Sequence, residues 1–253
     1  VTNHEVFVEK PLSGTNRFRP HRIHYYAILF IKEEEGKHFV DFKTYPYKKG
    51  SIIFIAKDQV HSFEWNLARN ARFMLFTEDF FQKSRMGSTL IQKTGLFNYH
   101  LNEPILQLNE KQFVLFDRLV SQIEEEYRST DDFATEEIIL SALRIFLCLA
   151  ERIRQNTKQK GIPSAYQEEF SVFQNLLDAH LFESRKVQFY ADKMNISTKK
   201  LNRITRDLLN LPAKEYINDV LIVEIKRLLM NTNLSAKEIS FKTGFEESTN
   251  FVK

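Results

Sequence analysis

The segment from Ser197 to Arg206 gathers side chains able to hydrogen-bond a nucleic-acid duplex. Read as a helix, it turns Thr198, Lys199, Asn202, Arg203 and Arg206 outward, while Leu201, Ile204 and Leu208 turn toward a core. Arg203 has the planar fork to give a guanine two parallel hydrogen bonds, Asn202 has the amide to do the same for an adenine, and Lys199 can reach a base acceptor or a phosphate. Ser197, Thr198, Lys200 and Arg206 suit phosphate anchoring, helped by the positive end of the helix dipole next to Ser197, the predicted N-cap. A basic run is usually only a solvated face, so the surrounding pattern has to decide.

That pattern occurs twice. Phe189-Tyr190-Ala191-Asp192-Lys193-Met194-Asn195-Ile196-Ser197 and Glu238-Ile239-Ser240-Phe241-Lys242-Thr243-Gly244-Phe245-Glu246-Glu247 each place a small residue (Ala191, Ser240) four positions before one that tolerates positive φ (Asn195, Gly244). The small side chain lets two helices cross closely, and the Asn or Gly takes the left-handed conformation that ends the first helix. Ser197 or Glu247 then opens the second. This is the writing of a helix-turn-helix. Aligning the second copy needs one extra residue in its turn; Glu247 then takes the Ser197 role, Phe251 the Leu201 role, and Ser248, Thr249, Asn250 and Lys253 become its reading face.

Composition agrees with two globular domains: the 253 residues include 23 Phe and 9 Tyr, enough for well-packed cores rather than disorder. Net charge is +3, and from Glu183 onward about 13 Lys and Arg face about 9 Asp and Glu, so basicity collects where the repeated pattern lies. The single cysteine, Cys148, excludes a disulfide framework within one chain and reads as a small buried hydrophobe. No apolar run approaches the roughly 18 residues a membrane span requires, and no signal peptide opens the chain. The expectation is a soluble cytoplasmic protein that does not engage membranes.

The first third reads as β structure, with strands over Ile23 to Ile31, His38 to Tyr45, Ser51 to Ala56, Val60 to Trp65 and Ala71 to Thr77. Ile23 to Ile31 and Ile52 to Ile55 are apolar on both faces and should be covered on both sides. A small antiparallel barrel or sandwich follows. From Asn109 helical spacing dominates: a stripe of Phe113, Phe116, Leu119, Val120, Ile123 and Tyr127, then a helix from about Thr135 to Gln155 that is apolar around much of its circumference. Its surplus apolar surface suggests a homodimer formed through the helices of 109–155. The polar stretch 156–165 reads as a linker. The domains are then 1–155, with the barrel to about 80, and 166–253, where a long helix from about Pro212 to Met230 joins the two units and Ser235-Ala236-Lys237-Glu238 forms a capping box.

The segment Lys226 to Ile239 with Gly244 to Lys253 resembles the signature of the AraC/XylS family of bacterial transcriptional regulators, and Tyr190 to Ser197 with Leu201-Asn202-Arg203 resembles that family's first helix-turn-helix. The front part, through His21-Arg22-Ile23-His24, Lys49 to Ile55 and Gln59-Val60-His61, is similar to the family's cupin-like sensor domain. The resemblance implies an α+β multidomain chain: a cupin-like β-barrel with dimerisation helices, then an all-α domain with two helix-turn-helix units. In the family the second unit continues into a basic, aromatic stretch and a closing helix, so this one is expected to be truncated at Lys253. The implied partners are double-stranded DNA, a second copy of the chain, a small-molecule effector and RNA polymerase. The effector-binding candidates are His24, Tyr26, Phe54 and His61. Two alternatives stand beside this reading. One is a metal-dependent cupin enzyme with His21, His24, His61 and a carboxylate as ligands, although the His-x-x-His spacing departs from the His-x-His such enzymes want. The other is a constitutive regulator whose barrel is an assembly platform. No cofactor, metal or catalytic residue is expected.

Overall fold

Two strands made of apolar residues on both faces anchor the amino-terminal part: β3 (Tyr26–Ile31) and β6 (Ser51–Ile55), every residue of which is buried except the half-exposed Tyr26. The computed structural model describes residues 6–9, 20–33, 35–62, 71–82, 90–91, 94–99, 102–129, 132–157 and 164–245, which divide into two units, Val1–Gln159 and Lys160–Lys253. In the first unit β1 (Val6–Glu9), β8 (Ala71–Phe76), β3, β6 and β9 (Ile105–Gln107) form one antiparallel sheet in that order. A second antiparallel sheet has the order β2 (His21–Arg22), β7 (Val60–Ser62), β4 (Gly36–Val40) and β5 (Lys43–Tyr47).

Strand parity sorts the larger sheet into two faces. Ile28, Phe30, Ile52, Phe54, Met74 and Phe76 pack on helices α2 (Glu110–Arg128) and α3 (Thr135–Thr157). Ala27, Leu29, Ile31, Ile53, Ile55 and Phe73 form a second core with Ile23 and Tyr47, between the sheets. The short helix α1 (Glu78–Gln82) adds Phe80 and Phe81 to the first core, and a single 3₁₀ turn, Gly95–Phe97, adds Leu96 and Phe97. Asn109 caps α2 in a reciprocal box with Gln112: the Gln112 N–H donates to Asn109 Oδ1 and the Asn109 N–H to Gln112 Oε1, both at 2.9 Å.

The expected strand His38 to Tyr45 is a hairpin instead. Asp41 (φ 44°) and Phe42 (φ 67°) both take the left-handed conformation, which is the two-residue turn that suits the twist of a hairpin. The signal was weak because Phe is a poor turn residue. Strand β9 was also not anticipated; three residues are too few to show a period. Cys148, expected inside a core, is exposed on α3.

The second unit is helical: α4 (Ser164–His180), α5 (Val187–Lys193), α6 (Thr198–Leu209), α7 (Ala213–Asn231) and α8 (Ala236–Lys242). Its core joins Phe170, Phe173, Tyr190 and Tyr216, whose rings meet at 5.2–6.1 Å in tilted or edge-on pairs, to Leu201, Ile204, Ile217 and Ile239. The stretch read as a linker, 156–165, is helical at both of its ends, since α3 runs to Thr157 and α4 begins at Ser164, and its middle lies outside the described residues. Pro212 sits at the N-cap of α7 rather than in its first turn. Among the described residues no helix is long and apolar enough to cross a membrane.

Candidate nucleic-acid interface

Both expected turns close with one set of hydrogen bonds. In the first, the N–H of Ile196 donates to Ala191 O at 3.0 Å and that of Asn195 to Asp192 O at 3.0 Å; in the second, Phe245 donates to Ser240 O at 2.9 Å and Gly244 to Phe241 O at 3.1 Å. Asn195 has φ 53° and Gly244 φ 77°. These are paired Schellman closures: the left-handed residue folds the chain back so that the last helical carbonyls find donors. Ala191 and Ser240, the small residues of the two copies, are both fully enclosed.

The first turn delivers the chain into α6. Ser197 caps it, accepting from the Lys200 N–H at 3.1 Å. Leu201, Ile204 and Thr205 are fully buried, and Leu208 is half-buried. Lys199, Arg203 and Arg206, at positions i, i+4 and i+7, are exposed on one face. The Arg203 side chain is 72% exposed, with only a loose 3.9 Å approach to Asp207. A strand of phosphates or a base edge can therefore reach this face without displacing a packed contact. Thr198 is half-buried at its start.

Two of the expected contact residues are committed elsewhere. The amide of Asn202 donates to Thr198 O at 2.9 Å and its oxygen accepts from the Ala213 N–H at 3.0 Å. Reading an adenine with both groups would break both bonds, so the geometry makes Asn202 a bracket between α6 and the first turn of α7. Lys200 pairs with Glu169 of α4, which ties α6 to its neighbour instead of extending toward solvent. Ser248, Thr249, Asn250 and Lys253, with Glu247 and Phe251, lie outside the described residues.

In the first unit the four effector candidates do not share a site. Tyr26 stacks on Phe76 at 5.5 Å and meets Phe97 edge-on at 4.9 Å, and Phe54 meets Phe97 at 5.5 Å. Both belong to the helix-facing core, because their parity is that of Ile28 and Phe30. His24 is 77% exposed and bonds Asp58 at 2.9 Å. Only His61 is buried in the smaller sheet, with its ring 4.5 Å from that of His21 and 5.4 Å from that of His38. His38 is fully enclosed as well. Its parity with Val40 on β4 was the available signal, hidden by the missed hairpin turn. Burial pushes His38 down to about 3 and His61 well below the ordinary histidine value, with the neighbouring histidines adding to both. Both rings are thus neutral near pH 7. The proposed metal set of His21, His24 and His61 is not assembled, since His24 points to solvent. Among the described residues no group of three or more His, Cys, Asp or Glu side chains is arranged to hold a metal ion.

Comparison with known proteins places both units. The profile of the AraC-like ligand binding domain matches residues 13–143, over half of the chain, and that of a helix-turn-helix domain matches residues 190–253. The HTH-type transcriptional activator RhaS of Enterobacter sp. (strain 638) is 21% identical over 253 residues, covering 99% of this chain and 87% of that protein. The activator RhaR of Mannheimia succiniciproducens is 20% identical over 259 residues, with 99% and 90% coverage. Among solved structures, apo ToxT from Vibrio cholerae aligns at 14% identity with a TM-score of 0.46, covering 98% of this chain and 92% of that one. The chain belongs to the AraC family and is a DNA-binding transcriptional regulator, with an amino-terminal ligand-binding domain and a carboxyl-terminal helix-turn-helix domain.

Proposed function

We propose that α6 enters the major groove and reads base edges through Arg203 and Lys199, with Arg206, Ser197 and Thr198 on the flanking phosphates. Ser248, Thr249, Asn250 and Lys253 form the reading face of the second unit, about one helical turn, ~34 Å, further along the duplex. The observation that carries this is the division of α6 into a fully enclosed side, Leu201, Ile204 and Thr205, and an exposed basic side. Replacing Arg203 by Ala should weaken specific binding by about 1–3 kcal/mol and relax preference at one base pair. Equal loss on every sequence would show that Arg203 touches only the backbone.

The regulator acts as a homodimer through α3. Ile138 and Ile145 are 37% and 51% exposed on that helix, and Cys148 lies on the same stripe three residues on. Light scattering of the purified protein checks this; a monomer at micromolar concentration overturns it. A small effector enters between the sheets beside His21, His38 and His61, and it biases the DNA-bound form through α2 and α3. The relatives' activator names support contact with RNA polymerase from the bound dimer, in the cytoplasm. A second reading, the barrel as assembly platform, is favoured by the packing of Leu29, Ile31, Ile53, Ile55 and Phe73 in the space between the sheets. Thermal-shift screening against metabolite classes separates the two: stabilisation by one class supports the sensor. Full DNA binding with no stabilisation by any supports the platform.

A further inference from the structure

The loop that leads into the first helix-turn-helix is fastened to the turn of the second. Arg185 lies between α4 and α5. Its guanidinium donates to Gly244 O at 2.8 Å and lies over the Phe245 ring, 4.2 Å from the centroid. Its own carbonyl accepts from Lys214 Nζ at 3.0 Å, in the first turn of α7. A carbon added at Gly244 would come within 2.8 Å of Phe182 O, so backbone meets backbone at this point. The loop therefore touches the second unit at the residue that reverses its chain, directly before the segment 246–253 that carries its reading face.

Apart from this join, the chain connects the two helix-turn-helix units through α7. A 19-residue helix is about 28 Å long, and a small change of angle at its far end shifts the second reading face by several ångströms. The loop supplies a second connection and closes a ring: α5–α6, α7, α8 with its turn, and back through Arg185. Arginine suits the position because a flat guanidinium can stack on a ring and donate in its own plane at once, whereas a lysine ammonium offers no such plane.

We propose that Arg185, with Gly244 and Phe245, is a positioning residue that sets where the reading face of the second helix-turn-helix stands relative to α6, and so determines which spacing of two DNA elements the regulator accepts. This rests on the reading that both units contact DNA. The test begins with the whole wild-type protein and a randomised duplex library, from which the preferred composite site is selected. Affinities are then measured for that site, for duplexes with one base pair inserted or deleted between the elements, and for a duplex keeping only the first element.

The wild type should lose roughly tenfold or more for a one-base-pair change, in the range of a mismatched pair. Arg185→Ala should bind the first-element duplex as the wild type does, lose affinity for the correctly spaced site, and discriminate among spacings only two- to threefold. Phe245→Leu, which keeps an apolar side chain but removes the ring face, should show the same flattening to a smaller degree. If Arg185→Ala binds every duplex more weakly by one factor, Arg185 is a phosphate contact and the proposal fails. An unchanged spacing profile also overturns it. Failure of the library to yield any composite site would instead count against the two-unit reading of DNA. Binding of the first-element duplex at wild-type strength certifies that a variant is folded.

Discussion

The two helix-turn-helix copies share one turn geometry but solve its steric problem with different residues, and the difference shows what surrounds each. Both close with the same pair of backbone hydrogen bonds, and both place a left-handed residue at the reversal. The first uses Asn195, which is exposed and tolerates that conformation through its short polar side chain. The second uses Gly244, where conformation alone does not explain the choice, because a side chain would strike the Phe182 carbonyl. One turn faces open space and the other is a docking surface.

Alanine at both positions would break the comparison if this account were wrong. Asn195→Ala should cost about 1 kcal/mol, the strain of a left-handed residue with a Cβ and no local hydrogen bond. Gly244→Ala carries the same strain plus a contact with an immobile backbone oxygen, so about 2–4 kcal/mol is expected. Because a chain of two units need not unfold in one step, the measurement is amide hydrogen exchange read separately in α5–α6 and in α8. Equal costs at the two sites would mean that the loop does not press on the second turn in solution.

The shared geometry was legible in the sequence because it depends on residues adjacent along the chain: small residue, four steps, left-handed residue, apolar residue. The buried face of α6 was legible for a similar reason, since helical spacing alone separates Leu201 and Ile204 from Lys199 and Arg203. What sequence could not supply were partners distant along the chain. Asn202 has the chemistry of a base reader and an outward helical position, and only the placement of Ala213 shows its amide in use. In the barrel, parity puts Tyr26 and Phe54 on the same side as Ile28, but nothing local says whether that side faces helices or the second sheet. The burial of His38 depends on an Asp-Phe turn that no turn preference announces.

A smaller asymmetry separates the copies at Asn202. Pro212, the N-cap of α7, has no side chain able to accept from the first-turn amides, and Asn202 performs that duty from α6. The equivalent position in the second copy is Val252, which has no amide. Asn202→Ala should therefore cost about 1 kcal/mol, as the loss of a helix cap does, and leave base preference unchanged. Arg203→Ala should do the reverse. Selection from a randomised library by the Asn202 variant checks this, and a changed adenine preference would return Asn202 to the reading face.

The first helices of the two copies are also started differently. Lys186, at the N-cap of α5, makes no side-chain cap, whereas Ser235 and Glu238 form a reciprocal box on α8. Ser235→Ala should loosen α8 by about 0.5–2 kcal/mol, while Lys186→Ser should tighten α5 by somewhat less, since the helix is already held by Tyr190. Hydrogen exchange at the first-turn amides of each helix measures both changes. A loss of protection in α5 for Lys186→Ser would show that its long side chain matters more than a cap.

The least of these differences is a response to acid. The Glu238 carboxyl is held below its ordinary range, first by the Ser235 hydroxyl and then by the Ser235 N–H, which donates at 2.8 Å. A carboxylate whose folded value is depressed contributes fully above the unfolded value, and the contribution is lost as pH falls through the folded one. The first turn of α8 should therefore fray below the ordinary carboxylate range, and α5, which has no capping carboxylate, should not fray by this route. The readout has to be local, because burial of His38 and His61 makes the other unit lose stability as pH drops below the usual histidine value. The Ser235 amide resonance, followed by NMR, is such a readout, and Glu238→Gln supplies the control. The amide of Gln accepts the same bonds without titrating, so the acid-dependent change at Ser235 should vanish in that variant. Its persistence would trace the fraying to some other group and leave the two copies alike in their response to acid.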